Sequence, residues 1–352
     1  MKDREKKWSI IIGCFLVSIG VVVTLQLISN SLIQTKNNFY RLFKPHSLTL
    51  EKSLDLQFNS HYIAGFTNAK IYLGDLVLTS TLFVSDYALK DTQTIKLRFP
   101  VDSRIAWKLL TCRVDSPYVF AFEGLTPDLF KGSIDSFHMT RTKCDHIPFD
   151  NIVPVSGSSW LLRCSDRVKR QISLAKENES DQYRDYKNGI LQNQHDGLFS
   201  VDGMIRYDRA MARLIYLYYY RNQFICMDSN LKVLYRSKTI DTNSVAKINP
   251  VHIASERAWK LASPPLFVNK HCCVYNRRLY VISGLSANNE NRKSFTENSV
   301  IDVYSLEDGK YRFSFYLPPL MSSKAYDFQV TDGRLIALYD HYLVTYKINF
   351  EF

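Results

Sequence analysis

The sequence lacks the motifs by which common catalytic and cofactor-binding sites are recognised. It contains no G-x-S-x-G, H-E-x-x-H or G-x-G-x-x-G pattern and no P-loop. No nucleophile elbow, zinc-protease helix or phosphate-binding loop is therefore indicated. No C-x-x-C pair occurs among the seven cysteines, which argues against a zinc site and a thioredoxin-type redox pair. The pattern Asp241-x-Asn243 lacks the glycine and the closing glutamate of a calcium loop and is interpreted as a turn.

The low glycine content and the lack of runs of like charge help to define the class of protein. Only 13 of the 352 residues are glycine, which excludes a low-complexity chain. No run of five like charges occurs, so the formal charge of +11 is interpreted as solvated surface in preference to a functional basic patch. Apolar residues make up 46% and charged residues 22%, as in globular proteins. Aromatic residues reach 13%, which favours β-structure because rings pack well on half-buried pleated surfaces.

One long hydrophobic run is present near the N-terminus. Residues 8–29 (WSIIIGCFLVSIGVVVTLQLIS) contain no charge, and 15 of these 22 positions are apolar. At about 1.5 Å per residue a helix of this length spans roughly 33 Å, which matches a bilayer core of about 30 Å. The sequence therefore predicts a transmembrane signal anchor at 8–29, in contact with the lipid bilayer. It would lie between a cytoplasmic tail at 1–7 and a stalk at 30–50.

Flanking charges predict the orientation of this segment. Four basic residues lie among the first seven positions, whereas the nearest ones after the segment are Lys36 and Arg41. Because basic residues accumulate on the cytoplasmic side, we expect the N-terminus inside and the remaining chain in the periplasm, held at the inner membrane. A cleaved signal peptide is the alternative. It is disfavoured because the apolar run exceeds the usual length of about 7–15 residues and ends only weakly in small residues.

Six cysteines follow the hydrophobic run, namely Cys112, Cys144, Cys164, Cys226, Cys272 and Cys273. In an oxidising compartment they could form disulfides. Their spacing is irregular, however, and a domain of this size does not depend on cross-links. Since several of them lie in apolar, strand-like runs, buried and inert thiols are the favoured interpretation.

From about Lys52 onward, the chain is a series of short strand-like runs. They are rich in β-branched and aromatic residues, and turn sequences such as Asp228-Ser229-Asn230, Asp308-Gly309 and Asp332-Gly333 separate them. No long amphipathic helix lies between the runs, which argues against a parallel α/β sheet.

A weak internal repeat makes the prediction more specific. Residues 205–218, 273–283 and 328–340 each contain a strand, a polar turn and an Arg-Leu pair that opens a second strand, and a third strand follows. A recurring meander of this kind is the pattern of propeller blades. We therefore predict an all-β fold, a six-bladed β-propeller at 51–352. A two-domain β-sandwich is the alternative.

The predicted blades and loops have these boundaries. Six units are expected at 61–99, 101–144, 147–178, 198–240, 266–320 and 325–350. Residues 53–58 are expected to supply a fourth strand to the last unit and so to close the ring. The middle of 165–188 is interpreted as an exposed excursion, because 11 of its 24 residues are charged. Residues 241–265 and 284–298 are interpreted as long loops.

Several stretches also resemble a known group of proteins. They include FNSHYIAG (58–65), DGMIRYD (202–208), YRNQFICMD (220–228), SPPLFVNK (263–270) and IDVYSLEDGKYRFSFYLP (301–318). On these residues the chain resembles uncharacterised, membrane-anchored proteins of the Bacteroidota described as TolB-like six-bladed β-propellers. The resemblance implies that fold in a Gram-negative periplasm. It implies no activity, and it is weakest over 100–195.

Four polar constellations in turns and loops are the candidate binding residues. They are Tyr220, Arg221 and Asn222; His195 and Asp196, before Asp202; His252, Glu256, Arg257 and Trp259; and Asp340, His341 and Tyr342. Arginine supplies charge, Tyr and Trp supply stacking surfaces, and His and Asp supply hydrogen bonds to an anion or a sugar. Each group has a plainer interpretation as a turn-capping set. A metal site drawn from the histidines is conceivable, but no metal or other cofactor is predicted.

Two functions remain open at this point. The first is a non-enzymatic binding or scaffold module for a periplasmic protein, peptide or glycan. The second is a lyase or hydrolase with a His, Asp and Arg site at the channel mouth. The missing catalytic motifs favour the first, and the predicted topology argues against a nucleic-acid partner.

Overall fold

The computed structural model describes residues 8, 12–24, 37–101, 105–142, 148–166, 171–180, 185–194, 196–255 and 258–351. The chain divides into two compact units, 1–38 and 39–352. In the first unit, residues 12–24 are helical. No helix within the described residues combines the length and the apolar character needed to cross a membrane. The predicted span 8–29 includes positions outside these residues, so the tail and the anchor remain predictions.

The second unit is built of antiparallel meanders. The first two are β2 (His61–Phe66), β3 (Lys70–Asp75), β4 (Thr81–Asp86) and β5 (Thr92–Lys96), then β6 (Thr111–Asp115), β7 (Tyr118–Glu123), β8 (Asp128–Ser133) and β9 (Thr140–Thr142). A short parallel pairing of β2 with β6 joins them into one eight-stranded sheet. A 3₁₀ turn at Trp107–Leu109 lies between the two.

The next meanders form separate four-stranded sheets. They are β10 (Phe149–Ser156), β11 (Ser159–Asp166), β12 (Gln171–Asn178) and β13 (Asp185–Lys187); β14 (Gly203–Asp208), β15 (Arg213–Tyr218), β16 (Gln223–Asp228) and β17 (Val233–Lys238); and β20 (Asn269–Tyr275), β21 (Arg278–Ser283), β22 (Ser299–Ser305) and β23 (Tyr311–Leu317). A two-stranded hairpin, β18 (Pro250–Ile253) with β19 (Ala258–Leu261), precedes the third of these sheets.

The last sheet joins the two ends of the second unit. It contains β24 (Asp327–Thr331), β25 (Arg334–Tyr339) and β26 (Tyr342–Ile348), and its fourth strand is β1 (Leu48–Asp55). β1 pairs antiparallel with β26, from Leu48 opposite Ile348 to Asp55 opposite Tyr342. The last meander is thus completed from the N-terminal end of the unit, as predicted, but by residues 48–55 and not by 53–58. All these strands belong to one compact unit, which is evidence against a two-domain sandwich.

Burial changes in a regular way across each meander. In the sheet β14–β17, the second strand is buried at five of its six positions, and its apolar run therefore packs on both faces. The fourth strand alternates between intermediate and exposed residues, as expected of an edge that faces solvent. The turns use the residues that the sequence indicated: Asp332 and Gly333 both have positive φ, 42° and 73°, between β24 and β25.

Neighbouring meanders pack face to face through hydrophobic clusters. Pairs of buried residues from successive sheets are Val84 and Phe130, Phe120 and Trp160, Leu174 and Tyr216, Phe224 and Tyr304, Phe315 and Phe328, and finally Ile336 and Leu73. The last pair returns from the final sheet to the first, so the series of packed interfaces closes on itself. The first strands of the meanders also contact one another, β2 with β6, β10 with β14, β14 with β20, β20 with β24 and β24 with β2, so the first strands β2, β6, β10, β14, β20 and β24 lie innermost.

An arginine fastens the segment before β1 to the sheet β20–β23. Arg41 is buried, and it donates Nε and Nη2 to the two carboxylate oxygens of Asp302 at 2.7 and 3.0 Å. Its Nη1 reaches Glu290 at 2.6 Å. Burial lowers the pKa of Arg41, but the two carboxylates outweigh that effect and raise it above the ordinary value. Residues 39–47, which the sequence assigned to a stalk, belong to the second unit.

Three expectations for irregular segments were wrong. The charged stretch 165–188 contains β12 and β13, and Leu174 and Ala175 of β12 are fully buried. The loop 241–265 contains the hairpin β18–β19. The loop 284–298 contains a short helix, Arg292–Glu297, whose first turn is capped by the Asn291 side chain accepting from the Lys293 amide at 2.7 Å. The number of charged residues at 165–188 wrongly predicted an exposed segment, because these charges flank an apolar strand core.

The cysteines of the second unit are mostly reduced and buried. Cys112, Cys164, Cys226, Cys272 and Cys273 are free thiols with almost no exposure. Burial raises the pKa of Cys112 to about 12 and raises that of Cys272 as well, which makes these thiols unreactive. This agrees with the interpretation of inert core thiols. Cys144 lies outside the described residues.

Candidate functional site in a cavity between the innermost strands

The innermost strands enclose two adjoining cavities of about 250 Å³ each. Both cavities are lined by Ile63, Arg113, Arg206 and Gln329, and together they are called the central cavity below. One of them receives residues from all six innermost strands. Since a water molecule occupies about 30 Å³ in the liquid, each cavity has room for a small ligand group.

Arg206 lies in the middle of β14 with its guanidinium fixed in place. Its Nε donates to the Cys272 carbonyl at 2.8 Å, and its Nη1 donates to the Ile205 carbonyl at 2.9 Å. Carbonyl acceptors hold the guanidinium plane but do not neutralise its charge. The charge of Arg206 therefore remains directed at the central cavity.

Arg113 occupies the middle of β6 and is less well satisfied. Its Nε is buried and has no hydrogen-bond partner. Burial, reinforced by the positive charge of Arg206, lowers the pKa of Arg113 to about 10. A guanidinium that is desolvated and has an unpartnered N–H group attracts an anion that enters the cavity.

The carboxylates that line the central cavity are already paired. Asp115 at the end of β6 forms an ion pair with Arg209. Asp150 on β10 lies 3.4 Å from Arg163, which also contacts Asp202 at 2.7 Å. Burial raises the pKa of Asp150, although Arg163 opposes the shift. These pairs leave little free negative charge to compensate Arg113.

A histidine and an aspartate form a third pair at this cavity. His271 Nε2 lies 3.1 Å from Asp327 Oδ1, and the other carboxylate oxygen accepts from the Ile63 amide at 2.9 Å. Burial would raise the pKa of Asp327, but the contact with His271 and the amide hydrogen bond lower it overall. The Nδ1 atom of His271 is buried without a hydrogen-bond partner. His271 also lines a further cavity, of about 250 Å³, together with Lys270 and Lys324.

Three of the predicted site residues, Tyr220, Arg221 and Asn222, lie in the turn between β15 and β16. Arg221 is fully buried, it donates Nη2 to the Gln192 carbonyl at 2.7 Å, and it stacks on Tyr218 with its guanidinium carbon 3.7 Å from the ring centroid. Asn222 is also buried and donates to the Asp241 carbonyl at 2.5 Å. Tyr220 is buried, and burial raises its pKa to about 12. None of the three lines the central cavity.

The other predicted groups lie in separate places. Asp202 contacts Arg163 and thus adjoins the central cavity, whereas its predicted neighbour His195 lies outside the described residues. His252 and Trp259 face each other across the hairpin β18–β19, with ring centroids 5.2 Å apart. Glu256 and Arg257 also lie outside the described residues.

The group at the turn between β25 and β26 is local. His341 Nδ1 is 3.1 Å from Asp340, and its Nε2 is 3.8 Å from Asp55 at the end of β1. Its ring packs on Tyr342 with centroids 4.2 Å apart. These contacts join the turn to β1. In the part of the chain that the structure describes, no group of three or more His, Cys, Asp or Glu side chains is arranged to hold a metal ion.

Sequence reasoning missed the residues of the central cavity. Arg113, Arg206, His271, Asp327 and Gln329 all belong to strands that were predicted or implied, but none was singled out. One signal was available: Arg206 and Gln329 occupy equivalent positions in the aligned repeats IRYD and FQVT, inside otherwise apolar strands. A polar residue at the centre of the first strand of a meander points to the axis on which these strands converge.

Comparisons with known proteins agree with the fold. No protein-family model matches the chain, and no curated protein sequence matches it significantly. Among solved structures, a member of the DUF4221 family from Bacteroides vulgatus is similar, with 14% identity, a TM-score of 0.53, and coverage of 86% of this chain and 97% of that one.

Two further solved structures are less similar. A putative exported protein from Bacteroides fragilis has 11% identity and a TM-score of 0.48, with coverage of 89% of this chain and 95% of that one. A virginiamycin B lyase from Staphylococcus aureus has 8% identity and a TM-score of 0.49, with coverage of 86% and 99%. At such identities a likeness bears on the fold alone, and the chain has an all-β, propeller-like architecture.

Proposed function

We propose that residues 51–352 form a six-bladed β-propeller that acts as a non-enzymatic binding module for a periplasmic protein, peptide or glycan. In this proposal a helix at 8–29 anchors the module in the inner membrane with the N-terminus in the cytoplasm. The closed series of packed meanders supports six blades, with β1 in the last one. The uncharged segment and its basic flank support the anchor.

The central cavity is the observation that carries the binding function. It is open enough to admit a ligand group, and Arg206, which lines it, is held rigidly by backbone carbonyls. A rigid polar site lowers the entropic cost of binding, which favours recognition. The carboxylates at the cavity are engaged with Arg209, Arg163 and His271. They are therefore poorly placed to serve as free acids or bases.

Filling the central cavity should weaken ligand binding. Full-length protein in a mild detergent would be screened on peptide and glycan arrays, and the affinity of each ligand found would be measured by calorimetry. Gln329→Phe places a ring in both cavities, and we expect affinity to fall at least about tenfold, equivalent to roughly 1.4 kcal/mol. The control is Gln93→Phe, the same exchange at an exposed position of the outer strand β5. Equal affinities for the two variants would contradict the proposed site.

One observation favours a second candidate function, a lyase or hydrolase. Asp327 orients the His271 ring, whose buried Nδ1 has no partner, and Arg113 lies at the same cavity. An imidazole held by a carboxylate can transfer protons. If the protein is an enzyme, mass spectrometry of the incubated ligand will show a product, and His271→Ala will abolish it while His252→Ala on the outer hairpin will not. Recovery of the unchanged ligand supports the binding module.

A further inference from the structure

Two arginines share the central cavity without a carboxylate partner. Among the described residues, neither Arg113 nor Arg206 has an ion pair within 4.0 Å. Each of the two arginines lines both cavities that make up the central cavity, and the charge of Arg206 acts on Arg113. Both side chains are only partly exposed, and a partly desolvated cation that no carboxylate contacts is unfavourable unless another group compensates it. The protein therefore keeps an uncompensated positive site at its centre.

The carboxylates nearby do not provide that compensation by contact. Asp115 is paired with Arg209, and Asp150 is paired with Arg163. Asp327 comes closest to compensating the two arginines, because its charge acts on both Arg113 and Arg206. Its two oxygens, however, already accept from His271 and from the Ile63 amide. An external anion is the group that remains to satisfy the two guanidiniums.

Donors at the cavity are placed to receive such a group. The Nε of Arg113 is buried and unpartnered, whereas Arg206 keeps N–H groups beyond the two that it gives to carbonyls. The hydroxyl of Tyr62, which lines one half of the cavity, accepts a hydrogen bond from the Cys112 amide at 2.6 Å. Two guanidiniums and one tyrosine hydroxyl therefore line the same space, and the carboxylates beside them are already paired.

We propose that Arg113 and Arg206 together bind one oxoanion group of the ligand, a carboxylate or a phosphate. The planar guanidinium matches the geometry of these groups, and two of them offer paired, charge-assisted hydrogen bonds. This inference rests on the proposed binding function and specifies its ligand chemistry. A neutral or cationic ligand would leave both arginines uncompensated.

Thermal unfolding of the full-length protein in non-ionic detergent tests the proposal. The Tm would be followed against sodium phosphate, sodium glucuronate and N-acetylalanine at pH 7, with ionic strength held constant by sodium chloride. A ligand that binds the folded state raises the Tm as its concentration increases. We expect at least one of the three to do so. A response to phosphate alone indicates a phosphate ligand, and a response to either carboxylate indicates an acidic sugar or a peptide terminus.

Variants distinguish the arginine site from general salt effects. Arg113→Gln and Arg206→Gln should each raise the half-saturating concentration of the anion about 10- to 100-fold, since one charge-assisted interaction is lost. Without added anion, Arg113→Gln should keep or raise the Tm, because it removes a partly desolvated charge that no carboxylate contacts; a purely structural arginine would give a lower Tm. The control Arg277→Gln removes an exposed arginine paired with Glu307 and should respond like the unchanged protein.

Two results would overturn the inference. One is a Tm that none of the three anions raises, and the other is an equal response in the Arg113, Arg206 and Arg277 variants. If array ligands still bind and Gln329→Phe still blocks them, the binding module stands while the oxoanion site fails. If no ligand binds and no anion acts, both proposals fail.

Discussion

Arg41→Ala should destabilise the second unit by about 3–5 kcal/mol, the cost of breaking a buried ion pair at one partner. Asp302 and Glu290 would then remain buried without their cation, and the segment before β1 would lose its attachment to β22. Asp302 would keep only the Ser314 hydroxyl at 2.5 Å among these contacts. Urea unfolding of the full-length protein, followed by tryptophan fluorescence, measures the loss.

The matched control for this change is an exposed arginine. Arg312 pairs with Asp308 at 3.0 Å on the protein surface, so Arg312→Ala should cost only about 0–1 kcal/mol. The double change Arg41→Leu with Asp302→Asn should recover part of the loss, because it removes one of the stranded charges. A cost for Arg41→Ala that equals the cost for Arg312→Ala would show that the buried network does not hold the segment.

Gly65→Ala should cost about 2–6 kcal/mol and disturb the central cavity. Gly65 has a φ of 155° in β2, and an added Cβ would lie 2.0 Å from the carbonyl oxygen of Val114 in β6. That atom is backbone and cannot rotate away, so the parallel pairing of β2 with β6 must open. The expected destabilisation adds the cost of a strained backbone, about 1–3 kcal/mol, to a cost of overpacking of similar size. Urea unfolding measures it.

Gly333→Ala separates the cost of backbone strain from the cost of overpacking. Gly333 also has a positive φ, 73°, but an added Cβ there meets open space. Only the conformational cost should then appear, about 1–2 kcal/mol. Should both substitutions prove equally destabilising, close approach of the two innermost strands would not be the reason for glycine at position 65.

Local pattern was sufficient for most of the strands. The three Arg-Leu pairs of the internal repeat stand at the start of β15, β21 and β25, as the sequence predicted. Alternation, β-branched and aromatic residues and turn pairs act over a few neighbouring positions, so one sequence can reveal them. The same reasoning failed at 165–188, where β12 hides its apolar core between charged flanks.

The residues that line the central cavity were not predicted, for a physical reason. Loop position and residue type drew attention to Arg221 and His341, but Arg221 stacks on Tyr218 and His341 pairs with Asp340 and Asp55. Both act in their local structure. Whether a polar side chain faces a ligand or a neighbouring backbone group depends on packing, which residue type alone does not specify.

The sequence by itself determined the all-β character and the meanders, because these depend on local alternation and turn chemistry. It also indicated that a strand from the N-terminal end completes the last sheet, because the last unit has only three strands of its own. Tertiary structure alone decided the site. Arg113, Arg206 and Gln329 are far apart in the chain, and they meet only because the first strand of each meander lies innermost in a closed series of sheets. That convergence is a long-range property of the packing, and it turns isolated polar residues within apolar strands into a common cavity.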